Sequence, residues 1–472
     1  MDTPGSLERE REWSLESRRE PKAMRAAAGR ERRDAVPLEA HAELVVSDDR
    51  VGALSILQVQ DANRLQDLVP IRYGRMLATP FTFLRGSAAV MAADLAAGPR
   101  TDLTVQLCGD AHLSNFGMFS SPERRLVFDI NDFDETLPGP FEWDVKRLVA
   151  SVVVAGRNNQ LDKKTNRKLA RATTAAYREV IAAASKMNPL DVFYYRIDVE
   201  DLATTLTTAK SDRRRLAKTR KKSARKNSLG ALGKLTDIVD GRRVIVSNPP
   251  LIVAMSDEQR RDEMARIEGF FDDYRSTLHA DRRLLMDRYS MTDIALKVVG
   301  VGSVGTRCLI ALFESGDGEP LFLQIKEAAP SVLEEHLAPS AFDQEGHRVV
   351  DGQRKIQATP DALVGWARYE RGDDPATDFY VRQLWDGKAS ADVETMSADV
   401  LRRYAMACGA ALGRAHARSG DASMISGYLG DDDTFDRALA RFAEAYADRT
   451  EQDYGELIGA VDDGRVPIVR DL

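Results

Sequence analysis

"VVGVGSVGTRCLIAL", residues 298–312, carries an unbroken G-x-G-x-x-G at Gly300, Gly302 and Gly305, and what flanks it decides the fold. A dinucleotide fingerprint follows a strand and opens a helix whose N-terminal amides receive the pyrophosphate. Here residues 306–313, TRCLIALF, are β-branched and apolar in the manner of a strand, and the "ESGDGEP" after them is a dense turn signal. "LFLQIKEA" then gives another short apolar run with Lys326 embedded in it. The stretch reads as strand, glycine loop with Ser303 at its centre, strand, turn, and strand with a lysine. Alone, the same residues also describe a tight turn beside a solvated strand-edge lysine, so any chemistry has to be completed elsewhere in the chain.

The whole chain sets the bounds. Its 472 residues suffice for two or three structural units and a large core. A net charge of -7 argues against general nucleic-acid affinity, and the basic run around residues 210–226 ("KSDRRRLAKTRKKSARKNS") reads first as a solvated face. Cys108, Cys308 and Cys408 are odd in number and far apart, without C-x-x-C, which fits a reducing cytoplasm and neither a disulfide framework nor a zinc cluster. No apolar run approaches the roughly 20 residues that span a bilayer, and the start of the chain lacks the apolar region of a signal peptide. Residues 1–40 read as a flexible charged arm, 41–160 as a packed unit, and 161–290 as mainly helical with the basic run. Residues 291–392 read as a sheet bearing the glycine loop and lysine, and 393–472 as C-terminal helices. The expected class is α+β.

A glycine loop between antiparallel strands, with a lysine on the third, is how kinase-like folds cover ATP phosphates, and such a site also needs a base and metal-binding carboxylates. "LCGDAHLSNFGMF" sets Asp110 five residues before Asn115, the D-x-x-x-x-N interval of a catalytic loop. "RRLVFDINDFDET" ends a strand in Asp129, Asp132, Asp134 and Glu135, hard oxygen donors suited to Mg²⁺. Asp132 is the leading ligand, with Asp134 a second ligand or a solvated neighbour. His112 reads as a structural hydrogen-bonding residue. For Arg85 a structural ion pair is expected ahead of a phosphate or carboxylate contact.

"GDAHLSNFG" resembles the G-D-x-H-x-x-N loop of aminoglycoside phosphotransferases and related small-molecule kinases, and "INDFDET" resembles their I-D-F-D metal motif. "GPFEWDVKRLVAS" is similar to the segment that follows in those enzymes. That resemblance implies Asp110 as base, Asn115 and Asp132 as metal ligands, and Asp144 as a brace for the catalytic loop. With "VGVGSVGTRCLIAL", "LFLQIKEA", "DFYVRQLW" and "LGRAHARSGD", most of the chain also resembles an uncharacterised bacterial family of the protein-kinase-like superfamily. The order departs from kinases, because the catalytic loop and metal motif precede the glycine loop by over 150 residues, which implies a circularly permuted two-lobed fold with added helices. The acidic partner of Lys326 stays open among Glu334, Glu335 and Asp351. The expectation is an ATP- and Mg²⁺-dependent (or Mn²⁺-dependent) phosphotransferase with a small-molecule acceptor. The alternatives are an AMP transferase, a non-catalytic nucleotide-binding module and a metal-dependent hydrolase.

Overall fold

The computed structural model describes residues 19–47, 49–200, 202, 228–372, 375–384 and 389–470, so the basic run at 210–226 lies outside the described residues. Of the described residues, 53% are helical and 16% are in strands. Its strands pair antiparallel, which makes the class α+β. None of the described helices is long and apolar enough to cross a membrane.

Strands β1 (Thr104–Leu107) and β4 (Leu137–Pro140) form one pair, and β2 (Phe116–Ser120) lies between β3 (Leu126–Ile130) and β13 (Ala389–Ser390) in another sheet. β5 (Thr236–Val239) pairs with β6 (Arg242–Ile245). The main sheet has six strands in the order β11-β12-β10-β9-β8-β7, comprising β7 (Ile252–Ala254), β8 (Tyr289–Lys297), β9 (Cys308–Ser315), β10 (Pro320–Glu327), β11 (Gly365–Tyr369) and β12 (Thr377–Gln383). The glycine loop joins β8 to β9, and Lys326 sits on β10, as the local sequence pattern requires. Residues 161–290 are less uniformly helical than expected, since β5, β6 and β7 fall within them and β7 extends the sheet.

The two-residue period of a strand decides where Lys326 points. Leu321, Leu323 and Ile325 pack into one core with Phe270, Phe271 and Tyr274 of the long helix Asp257–Ser276. Phe322 packs into a separate core with Ile310, Leu312 and Ala295, and Lys326 shares its parity. Lys326 is therefore on the face away from that helix, on an inner strand and 3% exposed, and is not a solvated edge lysine.

The larger core is helical. Helix α1 (Phe141–Asn158) is buried from Phe141 through Gly156, between α2 (Lys163–Ala184), α3 (Ala398–Ser419) and α4 (Thr434–Asp462). A helix buried all round must give each of its charges a partner. Glu142 accepts from the Thr101 N–H and hydroxyl at 2.7 Å each, and Lys146 lies 4.6 Å from the centre of the Phe442 ring. Part of the proposed N-terminal arm is ordered instead: Lys22–Ala35 is a helix docked on Ala422–Leu429. Glycines permit the approach, because a Cβ on Gly29 would lie 1.9 Å from the Met424 carbonyl oxygen and one on Gly427 2.1 Å from that of Ala26.

Candidate functional site

The loop after β1 is held by one face of α1. Asp144, Arg147 and Ser151 are spaced three and four residues apart, so they line up along the helix. Asp144 accepts the backbone N–H groups of Cys108 (Oδ2, 2.8 Å) and Gly109 (Oδ1, 3.0 Å), and His416 Nε2 of α3 lies 3.2 Å from Oδ2. Arg147 donates through Nε to Asp110 Oδ1 at 2.8 Å, and Ser151 Oγ accepts the Leu113 N–H at 3.1 Å. The brace expected of Asp144 is thus present, and Arg147 and Ser151 join it. His112 Nδ1 accepts the Ser114 N–H at 3.2 Å. Burial, with Arg85 and Arg147 nearby, depresses its basicity strongly, and its Nε2 lies 3.5 Å from Asp110 Oδ2. Asn115 Nδ2 donates to the Asp110 carbonyl at 2.8 Å, which fixes the amide and ties the two ends of the D-x-x-x-x-N interval together. Burial raises the Asp110 carboxyl above the usual aspartate range, against the pull of Arg147.

The carboxylate loop after β3 meets the main sheet. Lys326 Nζ lies 2.5 Å from Asp134 Oδ2 and 3.6 Å from Asp132 Oδ1, while the Tyr380 hydroxyl of β12 donates to Asp134 Oδ1 at 2.7 Å. Ser303 Oγ of the glycine loop is 3.4 Å from Asp134 Oδ2. The partner of Lys326 is therefore Asp134, not one of the three acids left open by the sequence. Glu334 accepts the N–H groups of Ser331 and Ser340, Asp351 pairs with Lys355 at 2.6 Å, and Glu335 is exposed. Burial and the adjacent Asp134 raise Asp132, whose Oδ1 is buried without a hydrogen bond. Burial would raise Asp134 too, but Lys326 and Tyr380 hold it below the usual range. Asp129 turns away from this group, paired with fully buried Arg414 at 2.6 Å. Glu135 accepts the Val332 N–H at 2.8 Å, and burial pushes it up to about 7.

The glycine loop is clamped by residues well before the catalytic loop. Arg75 donates to the Gly300 carbonyl at 2.6 Å, Arg64 to that of Val304 at 2.6 Å, and the Leu65 N–H to that of Gly305 at 2.8 Å. Gly302 lies against residue 85: a Cβ there would be 3.2 Å from the Arg85 carbonyl oxygen. The ion pair expected of Arg85 is not formed, because among the described residues its guanidinium has no carboxylate partner and its Nε is buried without a hydrogen bond. Sequence reasoning missed Arg147, Tyr380 and the clamping arginines. Only Arg147 left a legible signal, three residues after Asp144 on the same helical face.

The Asn131 N–H donates to the Asn115 carbonyl at 2.8 Å, so the segment carrying Asp110 and Asn115 adjoins the one carrying Asp132 and Asp134, which in turn meets Lys326 and the glycine loop. Among the described residues no three His, Cys, Asp or Glu side chains form a metal-binding group. Cavities of about 490 Å³ open elsewhere, one lined by Arg100, Gln106, Leu337 and Phe342, another by Ile71, Arg75 and Arg470, and neither is lined by Asp110, Asp132 or Lys326.

No curated protein and no solved structure matches the chain. A family match covers residues 64–460, from an arginine that clamps the glycine loop to beyond the helix that carries Arg414 and His416, and so takes in every residue of the site above. By that match the chain belongs to the family described as "Uncharacterized protein conserved in bacteria (DUF2252)".

Proposed function

We propose that the chain is an ATP-dependent phosphotransferase with a protein-kinase-like two-lobed fold in circularly permuted order, acting on a hydroxyl of a small molecule. The observation that carries this reading is the 2.5 Å contact of Lys326 with Asp134, which joins two halves of a site 192 residues apart in the chain. The strand order β8-β9-β10-β12-β11 supports it. The glycine loop lies between the first two strands, the lysine is on the third, and the helix Glu345–Ile356 precedes β11, as in a kinase small lobe.

In this reading the glycine-loop amides and Lys326 orient the triphosphate. Asp132, with its buried oxygen lacking a donor, and the fixed amide of Asn115 fit a hard cation that also takes phosphate oxygens. Asp132 and Asn115 would hold Mg²⁺, or Mn²⁺ in its place, which would supply positive charge to offset that of the phosphates. Asp134 commits its oxygens to Lys326 and Tyr380 and would have to exchange one of them to join the metal. Asp110, fixed by Arg147, orients the acceptor hydroxyl and accepts its hydrogen bond or proton. Asp132 and Asp144 are only twelve residues apart, too few for a peptide-docking activation segment, which favours a small acceptor. Buried cysteines without disulfides fit a reducing compartment.

The test is thermal unfolding with ATP, Mg²⁺ or both, followed by transfer of label from ATP. Stabilisation by the pair beyond either alone, with label moving from the γ-position, is expected. Transfer of α-label would make the protein an AMP transferase, and an equal shift with Mg²⁺ alone would favour a hydrolase.

A further inference from the structure

The backbone around Arg85 is pinned on the Asp110 side and on the glycine-loop side, while its guanidinium is not. The Leu84 carbonyl accepts from Arg147 at 2.6 Å, and the same Arg147 holds Asp110. The Gly86 carbonyl accepts from Arg72 at 3.1 Å, and the Arg85 carbonyl abuts Gly302 of the glycine loop. The side chain itself is half-buried, donates no hydrogen bond and meets no carboxylate at ion-pair distance among the described residues, with Nε fully shielded. A guanidinium does not lose its proton under these conditions, and Glu394 and Asp110 attract it only from beyond ion-pair distance, so its burial carries an energetic cost that an incoming anion would offset. Its planar fork of donors matches the oxygens of a phosphate.

We propose that Arg85 binds the terminal phosphoryl group of the nucleotide, the one transferred. This rests on the phosphotransferase reading and adds to it the residue that tells ATP from ADP. The transferred group must lie between the glycine loop and the acceptor held at Asp110; the Arg85 carbonyl abuts Gly302, and the neighbouring Leu84 is tied through Arg147 to Asp110. In the step served, the bond from the γ-phosphorus to the β,γ-bridging oxygen breaks and one to the acceptor oxygen forms. The acceptor proton passes to Asp110 or on to water, and ADP leaves with the bridging oxygen's electron pair. Arg85 moves no proton; it neutralises charge on the non-bridging oxygens throughout.

The experiment is calorimetric titration of the full chain with Mg-ATP and Mg-ADP, for wild type, Arg85→Gln, Arg85→Lys and Lys326→Met. Arg85→Gln should weaken ATP by about tenfold or more while leaving ADP within about twofold, the loss expected of a charge-assisted contact. Arg85→Lys should keep part of the preference, and Lys326→Met should weaken both nucleotides. Because the charge removed has no partner, the unliganded Arg85→Gln protein should melt no lower than wild type. A lower melting temperature for both Arg85 variants, or an unchanged ATP-to-ADP ratio in Arg85→Gln, overturns the assignment. Wild type that binds neither nucleotide sinks the phosphotransferase reading itself.

Discussion

Lys326 and Asp134 meet at 2.5 Å across 192 residues of chain, and Tyr380 fixes the opposite oxygen of the same carboxylate. The contact couples the main sheet to the carboxylate loop, so its loss should be felt both in stability and in nucleotide binding. Replacing Lys326 by Met leaves two partly buried carboxylates without their cation, a change that costs about 3 kcal/mol in comparable buried pairs. Urea unfolding should register a loss of that order without abolishing the fold, and Mg-ATP should no longer protect the variant.

Asp132→Asn should behave differently in the unliganded protein. Asp132 is already disfavoured by burial and by Asp134, so a neutral amide relieves repulsion and leaves stability within about 1 kcal/mol of wild type. Metal-dependent stabilisation by ATP should disappear, because an amide cannot restore the lost charge. Retained Mg²⁺ dependence in a melting assay would remove Asp132 from the ligand set.

Asp110→Asn should leave Mg-ATP binding nearly intact and lower transfer, since its contribution lies with the acceptor in the transition state. Single-turnover transfer measured beside equilibrium binding separates the two. Parallel losses in both would show that Asp110 serves the nucleotide.

Glu135 gives a pH signature. Its folded-state carboxyl stands at about 7, above the ordinary glutamate value, so the folded state holds its proton more tightly than the unfolded chain. That stability is fully present below the unfolded pKa and is lost as pH rises from about 4.5 through 7. Glu135→Gln should flatten this part of the stability curve. An identical slope from pH 5 to 8 in the two proteins would contradict the raised carboxyl.

Gly305→Ala should destabilise more than Gly302→Ala. Gly305 has φ +95° and its Cβ would come within 2.9 Å of Arg64, whereas Gly302 faces a 3.2 Å approach with no positive φ. A penalty of about 1–2 kcal/mol for Gly305→Ala is expected from denaturant melts.

The parts of the site that were legible in sequence are those made by neighbours in the chain. Turn and strand signals placed the glycine loop between two strands and Lys326 on the third, and the five-residue interval tied Asn115 to Asp110, whereas Asp144 came from the family resemblance. Backbone geometry enforces such relationships within a few residues, so residue type and spacing suffice to read them.

Which side chains meet across the chain was decided only by packing. The sequence offered several acids for Lys326 and no means of preferring Asp134, which gains the lysine because the carboxylate loop and β10 face each other in the folded protein. It suggested an ion pair for Arg85, yet the nearby Asp110 is taken by Arg147, one turn of helix beyond Asp144. It read residues 22–35 as part of an arm, but two glycines let that helix dock against Ala422–Leu429. Local sequence determines the motifs because their geometry is covalent and short-ranged. Tertiary structure decides the partners because a carboxylate or guanidinium pairs with whatever the core's packing brings within reach, at any separation along the chain.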